Sequence, residues 1–239
     1  MRHYPLLLLA LLASCTVYAP MQPTLPLLTE RGQADFGASI QPNGRLEATA
    51  AYSPWERVVV LGGLTGLPRL GEHNFLATAQ YEVGAGGYQL LGNWLLGAQL
   101  GYGQAYSHRG FEQVLGGYRE YEASYQKQFV QAGVAYQGIL RGVSLTYRLT
   151  QVQFSYLTDA QYGPVPLGHM LRHELAVGSR AALFGSERWQ LAGTGGFSLA
   201  ADPYDNTVGS PPGTGRASNV LTPALFMSLG VVYRLGTYW

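Results

Sequence analysis

Residues 221–235 read Leu-Thr-Pro-Ala-Leu-Phe-Met-Ser-Leu-Gly-Val-Val-Tyr-Arg-Leu. Leu221, Pro223, Leu225, Met227, Leu229, Val231, Tyr233 and Leu235 form one alternating set; Thr222, Ala224, Phe226, Ser228, Gly230, Val232 and Arg234 form the other. Successive side chains of a strand point to opposite faces, so this is the two-residue period of a strand and not the 3.6-residue period of a helix. Working back toward the N-terminus, the same period recurs in 189–201, 171–184, 94–106, 74–84, 45–53 and 33–41. Three further segments are less regular: 57–66 is apolar on both faces, 121–137 alternates cleanly in its second half, and 143–157 changes phase near Gln151, as a bulge would make it.

These segments predict ten strands, with eight as the alternative, in an all-β, antiparallel up-and-down transmembrane barrel. Most exceed the roughly 5–6 residues of strands in soluble proteins and reach the roughly 9–11 that cross a bilayer. Pro223 alone among the prolines falls within a segment, near its start, where a missing N–H is tolerated. Connections alternate between short (53–56, 86–93, 138–142, 185–188) and long (67–72, 107–120, 158–169, 202–219), with 42–44 as the exception. Short turns on one side and long loops on the other mark an outer-membrane barrel.

Composition separates this reading from a soluble lipocalin-like barrel or sandwich. Only 12% of residues are charged, against 47% hydrophobic, where an ordinary domain carries roughly 25% charge. A water-facing exterior would need more charge than that. The apolar faces are therefore expected to meet lipid, and the isolated charges Asp35, Arg45, Glu47, Glu82, Arg148, Arg172, Glu174, Arg180 and Arg234 to form a lumenal network. Turning the strands inside out would place arginines in lipid at about 2–4 kcal/mol each near the midplane. Asp35 and Arg234, on the first and last strands, should pair where the barrel closes. Amphipathic rings prefer the headgroup layer. Tyr52, Trp55, Trp94, Tyr136, Trp189 and Tyr233 fall near the short-turn ends, and Tyr102, Tyr106, Tyr121, Tyr125, Tyr156 and Phe197 near the long-loop ends, as two aromatic girdles. A net charge of +1 excludes the basic excess of a nucleic-acid binder.

The N-terminus reads as an address. Met1-Arg2-His3 precedes an apolar run, Leu6–Ala13, about half the length of a spanning helix, as in a secretory signal. Leu12-Ala13-Ser14-Cys15 contains the single cysteine of the chain and resembles the lipobox of bacterial lipoproteins. The bland alternative is an ordinary signal peptide with an incidental Cys. The resemblance implies a signal peptide at 1–14 and, on Cys15, a diacylglycerol and an N-acyl chain such as palmitate. Residues 15–30, with Pro20, Pro23 and Pro26, are then expected to be a polyproline-like tether, leaving 31–239 as the barrel domain.

Together with the strand pattern and the aromatic C-terminus (Tyr233, Trp239), the chain resembles small Gram-negative outer-membrane barrels, more closely lipoprotein barrels. That resemblance implies outer-membrane residence, lipid anchoring, periplasmic termini, extracellular long loops, and handling by the barrel-assembly machinery. A structural or surface-interaction role through the loops is expected, with a narrow channel as the alternative and a lipid-modifying enzyme behind both. His173-Glu174 and Ser107-His108 are adjacent on their strands or loops and so point apart. His169 and His173 alone make a weak metal pair. The expectation is therefore no enzyme, no catalytic residue, no metal and no cofactor beyond the acyl groups; the extracellular ligand or partner is left open.

Overall fold

The computed structural model describes residues 16–72, 74–112, 117–138, 141–201 and 220–236, the side chain of Glu187 excepted. Cys15 and its lipobox, the 202–219 connection and Trp239 lie outside the described residues. The strands are β1 (Ala34–Ile40), β2 (Leu46–Tyr52), β3 (Val58–Leu67), β4 (Phe75–Leu91), β5 (Trp94–Glu112), β6 (Tyr118–Gln137), β7 (Arg141–Asp159), β8 (Gly163–Pro164), β9 (His169–Leu183), β10 (Ser186–Ala201) and β11 (Ala224–Leu235). Each long strand pairs antiparallel with its neighbours, and β1 pairs with β11 from Ala34↔Leu235 to Ile40↔Leu229. The sheet thus closes into a ten-stranded barrel, which removes the unpaired edges an open sheet would present to lipid. The two residues of β8 pair only with Thr158 and Asp159 at the end of β7.

Facing follows the alternation. Leu100 and Val130, opposite each other on β5 and β6, are 66% and 62% exposed, whereas Lys127 and Arg172 are 0% exposed. Apolar residues therefore form the outer belt and charges lie inside. The connections divide by end as well. Residues 53–57, 92–93 and 184–185 join strands at the end where β1 begins and β11 finishes; 68–74, 160–168 and the approach to β11 lie at the other. The 184–185 hairpin has positive φ at both Phe184 and Gly185, the conformation a two-residue turn needs to match strand twist.

Three expectations change. The long connection placed at 107–120 is mostly strand: β5 and β6 run 19 and 20 residues, far past the roughly 9–11 a bilayer requires, and project beyond it as a paired ribbon. The phase of β7 does not change at Gln151. Val152 and Phe154 stay on the inward phase, and the irregularity lies where Ser124↔Tyr156 is followed by Tyr125↔Phe154, leaving Ser155 as the extra residue. Most consequentially, residues 16–30 are not a free tether. From Thr16 to Leu28 nearly every residue is buried, because the segment runs through the lumen.

Candidate functional site

The lumen is the site, and it is built around an extended chain. Pro20, Pro23 and Pro26 carry no N–H, which leaves the segment rich in carbonyl acceptors. The wall supplies donors on long side chains. Arg45 donates to the Pro20 carbonyl, Gln80 Nε2 to Ala19 O at 2.8 Å, Gln131 Nε2 to Thr24 O at 2.8 Å, and Arg234 Nη2 to Leu27 O at 2.8 Å. In the other direction, Thr16 Oγ1 donates to Val220 O at 2.7 Å, and Tyr18 Oη to Glu174 Oε1 at 2.9 Å.

Apolar side chains of the segment find two clusters, one at each end. Leu25, Leu27 and Leu28 pack with Ala51, Val59, Tyr88, Leu95 and Ala135 at the turn end. Val17 and Tyr18 pack with Phe111, Tyr121, Tyr125, Val152, Phe154, Val165 and Leu167 at the loop end. This accounts for β3 being apolar on both faces: Val59 points in toward the segment while Val60 is exposed. It also moves Tyr121 and Tyr125, expected in a girdle, to the interior, where each is 1% exposed. Small residues seat the segment. A Cβ at Gly97 would lie 2.6 Å from Leu25 Cδ1, at Gly63 2.9 Å from Met21 Cε, and at Gly142 2.9 Å from Leu27 Cδ1.

Between the clusters lies the charge network. Glu82 on β4 accepts from Lys127 Nζ at 2.6 Å and from Arg148 Nη1 at 2.9 Å. Arg148 also donates to Gln131 Oε1 at 2.9 Å and stacks 4.2 Å from the Phe129 ring. Glu174 accepts from Ser198 at 3.1 Å and Thr150 at 3.3 Å as well as from Tyr18. Arg172 reaches Ser198 Oγ at 2.8 Å and the Ser198 and Thr222 carbonyls at 3.0 and 3.2 Å. At the closure of the barrel Asp35 and Arg234 are in direct register, with Arg234 Nε 3.4 Å from Asp35 Oδ1, and Arg180 Nη1 joins at 2.5 Å. Arg45 and Glu47 are also buried. Of the charges singled out in the sequence, Glu82, Arg148 and Glu174 fall in one group and Asp35, Arg180 and Arg234 in another. Lys127, the one lysine among 15 basic residues, was not singled out in the sequence, because it sits in the irregular first half of 121–137, where facing could not be read.

Outside, Tyr52, Trp94, Tyr136 and Trp189 are exposed on the outward phase, with Tyr102 and Tyr233 half-buried on it, and Trp55 is exposed in the β2–β3 turn. Four of these form two cross-strand pairs: Trp94 with Tyr136 at 5.3 Å between ring centroids, and Trp189 with Tyr233 at 4.7 Å. On the projecting ribbon His108 Nε2 lies 2.6 Å from Glu120 Oε1, and Tyr118 donates to Glu120 Oε2 at 3.0 Å. Partial desolvation opposes ionisation of Glu120, but the hydrogen bonds from His108 and Tyr118 outweigh it and hold the carboxyl below its usual range. His173 faces outward with Tyr147 2.6 Å away, while its neighbour Glu174 faces in. Among the described residues no three His, Cys, Asp or Glu are grouped to hold a metal ion.

Among the described residues, cavities of about 60 and 40 Å³ lie beside the segment, both bordered by Gln22, Thr49 and Glu47. A water needs about 10–15 Å³ by this measure, so they hold a few waters and no larger solute.

This closed, lipid-belted barrel with an occupied lumen has the fold of outer-membrane β-barrels. No protein-family model and no curated protein matches the chain. Among solved structures it is similar to the outer-membrane protease OmpT from Escherichia coli, at TM-score 0.54 and 9% identity over 89% of this chain and 99% of that one. It also matches the translocator domain of the autotransporter NalP from Neisseria meningitidis, at TM-score 0.40 and 11% identity over 84% and 86%. The first likeness shows the fold, and the fold implies a bilayer around the exposed belt. It also corrects one expectation. The chain was expected not to be an enzyme, yet the same architecture carries a protease. Missing soluble-enzyme motifs therefore do not exclude catalysis, and at 9% identity the likeness assigns none.

Proposed function

We propose that the chain is an outer-membrane barrel lipoprotein acting as a surface scaffold. In this reading its long connections, and the β5–β6 ribbon that rises above the belt, meet a partner outside the cell. The observation that carries the reading is the occupied lumen: the segment is hydrogen-bonded to Arg45, just before β2, and to β4, β6, β9 and β11, and the cavities beside it have room for a few waters. Long connections at one end and tight turns at the other support orienting the loops outward. Cys15 would carry the diacylglycerol and N-acyl chains, and the aromatic-ended last strand would be read by the barrel-assembly machinery.

A narrow channel for small polar solutes or ions is the second reading. It is favoured by one feature, that the segment is held through side chains and adds no strand to the ladder. Planar-bilayer recording of the purified full chain separates the two. The scaffold predicts silence at moderate voltage; steady, reproducible single-channel steps would replace it with the channel.

A further inference from the structure

We infer that this barrel threads its own amino-terminal side through the lumen, so that the chain preceding Thr16 leaves at the long-loop mouth, opposite the start of β1. The inference rests on the outward loop orientation proposed above only for naming that mouth the cell surface.

The order of contacts sets the direction. Glu30 and Thr29 donate backbone N–H groups to Gln33, just before β1 at the turn end. Leu27 lies against the seat at Gly142, one residue into β7 from the same end. Leu25 lies over Gly97 and Thr24 under Gln131, further up β5 and β6. Ala19 meets Gln80 and Tyr125, beyond the middle of β4 and β6. Tyr18 reaches Glu174, and Thr16 reaches the carbonyl of Val220, on the approach to β11 from the long-loop side. Contacts therefore climb from one mouth to the other without doubling back.

Length agrees. Twelve steps from Thr16 to Leu28 at roughly 3.1 Å per residue of extended, proline-rich chain cover about 37 Å, the thickness of a hydrocarbon core plus part of its headgroups. A shorter or coiled segment would have stopped inside. Retention is strong as well. Burial of apolar side chains resists withdrawal into water, and Val17, Met21, Leu25, Leu27 and Leu28 are all buried. Thermal motion will not draw the segment back out.

The consequence concerns the modification at Cys15. An anchor reached through a periplasmic tether would place its acyl chains in the inner leaflet. A chain that has already crossed the lumen presents residue 15 beside the outer mouth, where the lipid acceptor is the outer leaflet. The barrel would then be pinned by lipid on the face that carries its loops. At the seam between β1 and β11, Arg234 holds both Asp35 and the Leu27 carbonyl, so one residue serves both the closure and the segment.

The test compares three short epitopes in otherwise intact chains: between Cys15 and Thr16, within 202–219, and in the Phe184–Gly185 turn. Antibody labelling is read on whole and on permeabilised cells. The inference expects the 15/16 epitope to label under the same conditions as the 202–219 epitope, and opposite to the turn. Labelling with the turn instead overturns it. If both the 15/16 and the 202–219 epitopes label only after permeabilisation, the threading stands and the outward orientation falls. Palmitate incorporation is scored separately with Cys15→Ser, so loss of the lipid reading leaves the exit intact. If the 15/16 epitope blocks folding, two double-cysteine variants replace it: Thr16→Cys with Val220→Cys, and Leu27→Cys with Gly142→Cys. Disulfide formation in both supports the path, and folded barrels that cross-link neither overturn it.

Discussion

At the scale of single residues, the buried ion group around Glu82 is where stability is most concentrated. Lys127 is fully buried and Arg148 nearly so, with only the smaller cavity beside Glu82 and Arg148 to admit water. Removing one partner of a buried pair leaves uncompensated charge and costs about 3–5 kcal/mol. Glu82→Leu should therefore lower the temperature at which the barrel loses its fast-migrating form on SDS gels; an unchanged midpoint would show that water reaches the two cations. A second residue effect lies outside the bilayer, at Glu120. Its carboxyl is held below the usual range, so its hydrogen bonds stabilise the ribbon above the ordinary carboxylate pKa. That contribution is lost as pH falls through the lowered value. Amide exchange over residues 106–112 should accelerate in acid in the native chain, and Glu120→Gln should remove that acid step. An identical pH profile in the variant would reject the role of Glu120.

At the scale of elements, the lumenal glycines are seats for the threaded segment as much as spacers in strands. Gly97→Phe would drive a ring into the position of Leu25 Cδ1, 2.6 Å from the added Cβ. The outer face of β5, from Trp94 to Leu100, would be untouched. The expected result is a closed barrel whose segment is displaced: residues 20–28 become sensitive to added protease while the heat-modifiable band persists. Protection of 20–28 at the native level would mean that the segment is held without that seat. Alternation was readable wherever one face of a strand met lipid and the other met polar side chains. It failed on β3, on the first half of β6 and past Gln151 on β7. These are the places where Val59, Tyr121, Tyr125, Val152 and Phe154 turn apolar surface inward to meet the segment. On β3 both faces are apolar, so a period of two carries no sign; on β6 and β7 the inward face is apolar and the outward face carries Glu122, Gln126, Gln128 and Gln153, the reverse of the polar-in, apolar-out rule that holds along the belt.

At the scale of the whole molecule, the low charge and the abundance of Arg acquire a common cause. The belt excludes charge, and the lumen needs donors that can reach a chain with surplus carbonyls. Arg45 and Arg234 each donate to a carbonyl of the segment, and Arg172 to carbonyls of the wall, a task that a fixed guanidinium fork performs with less loss of freedom than an ammonium. The sequence by itself determined the ten-stranded barrel, the facing of most of its strands and the juxtaposition of Asp35 and Arg234 at the closure, though not that Lys127 lies inside. All of these follow from a local two-residue period and from the cost of charge in lipid. Only the tertiary structure decided what fills the lumen and at which mouth Thr16 ends. Residues 16–30 have no period, and prolines make a free tether and a threaded core segment look the same along the chain. The difference lies in donors, glycine seats and apolar clusters contributed by partners from 25 to 207 residues away along the chain, which the closed barrel brings together.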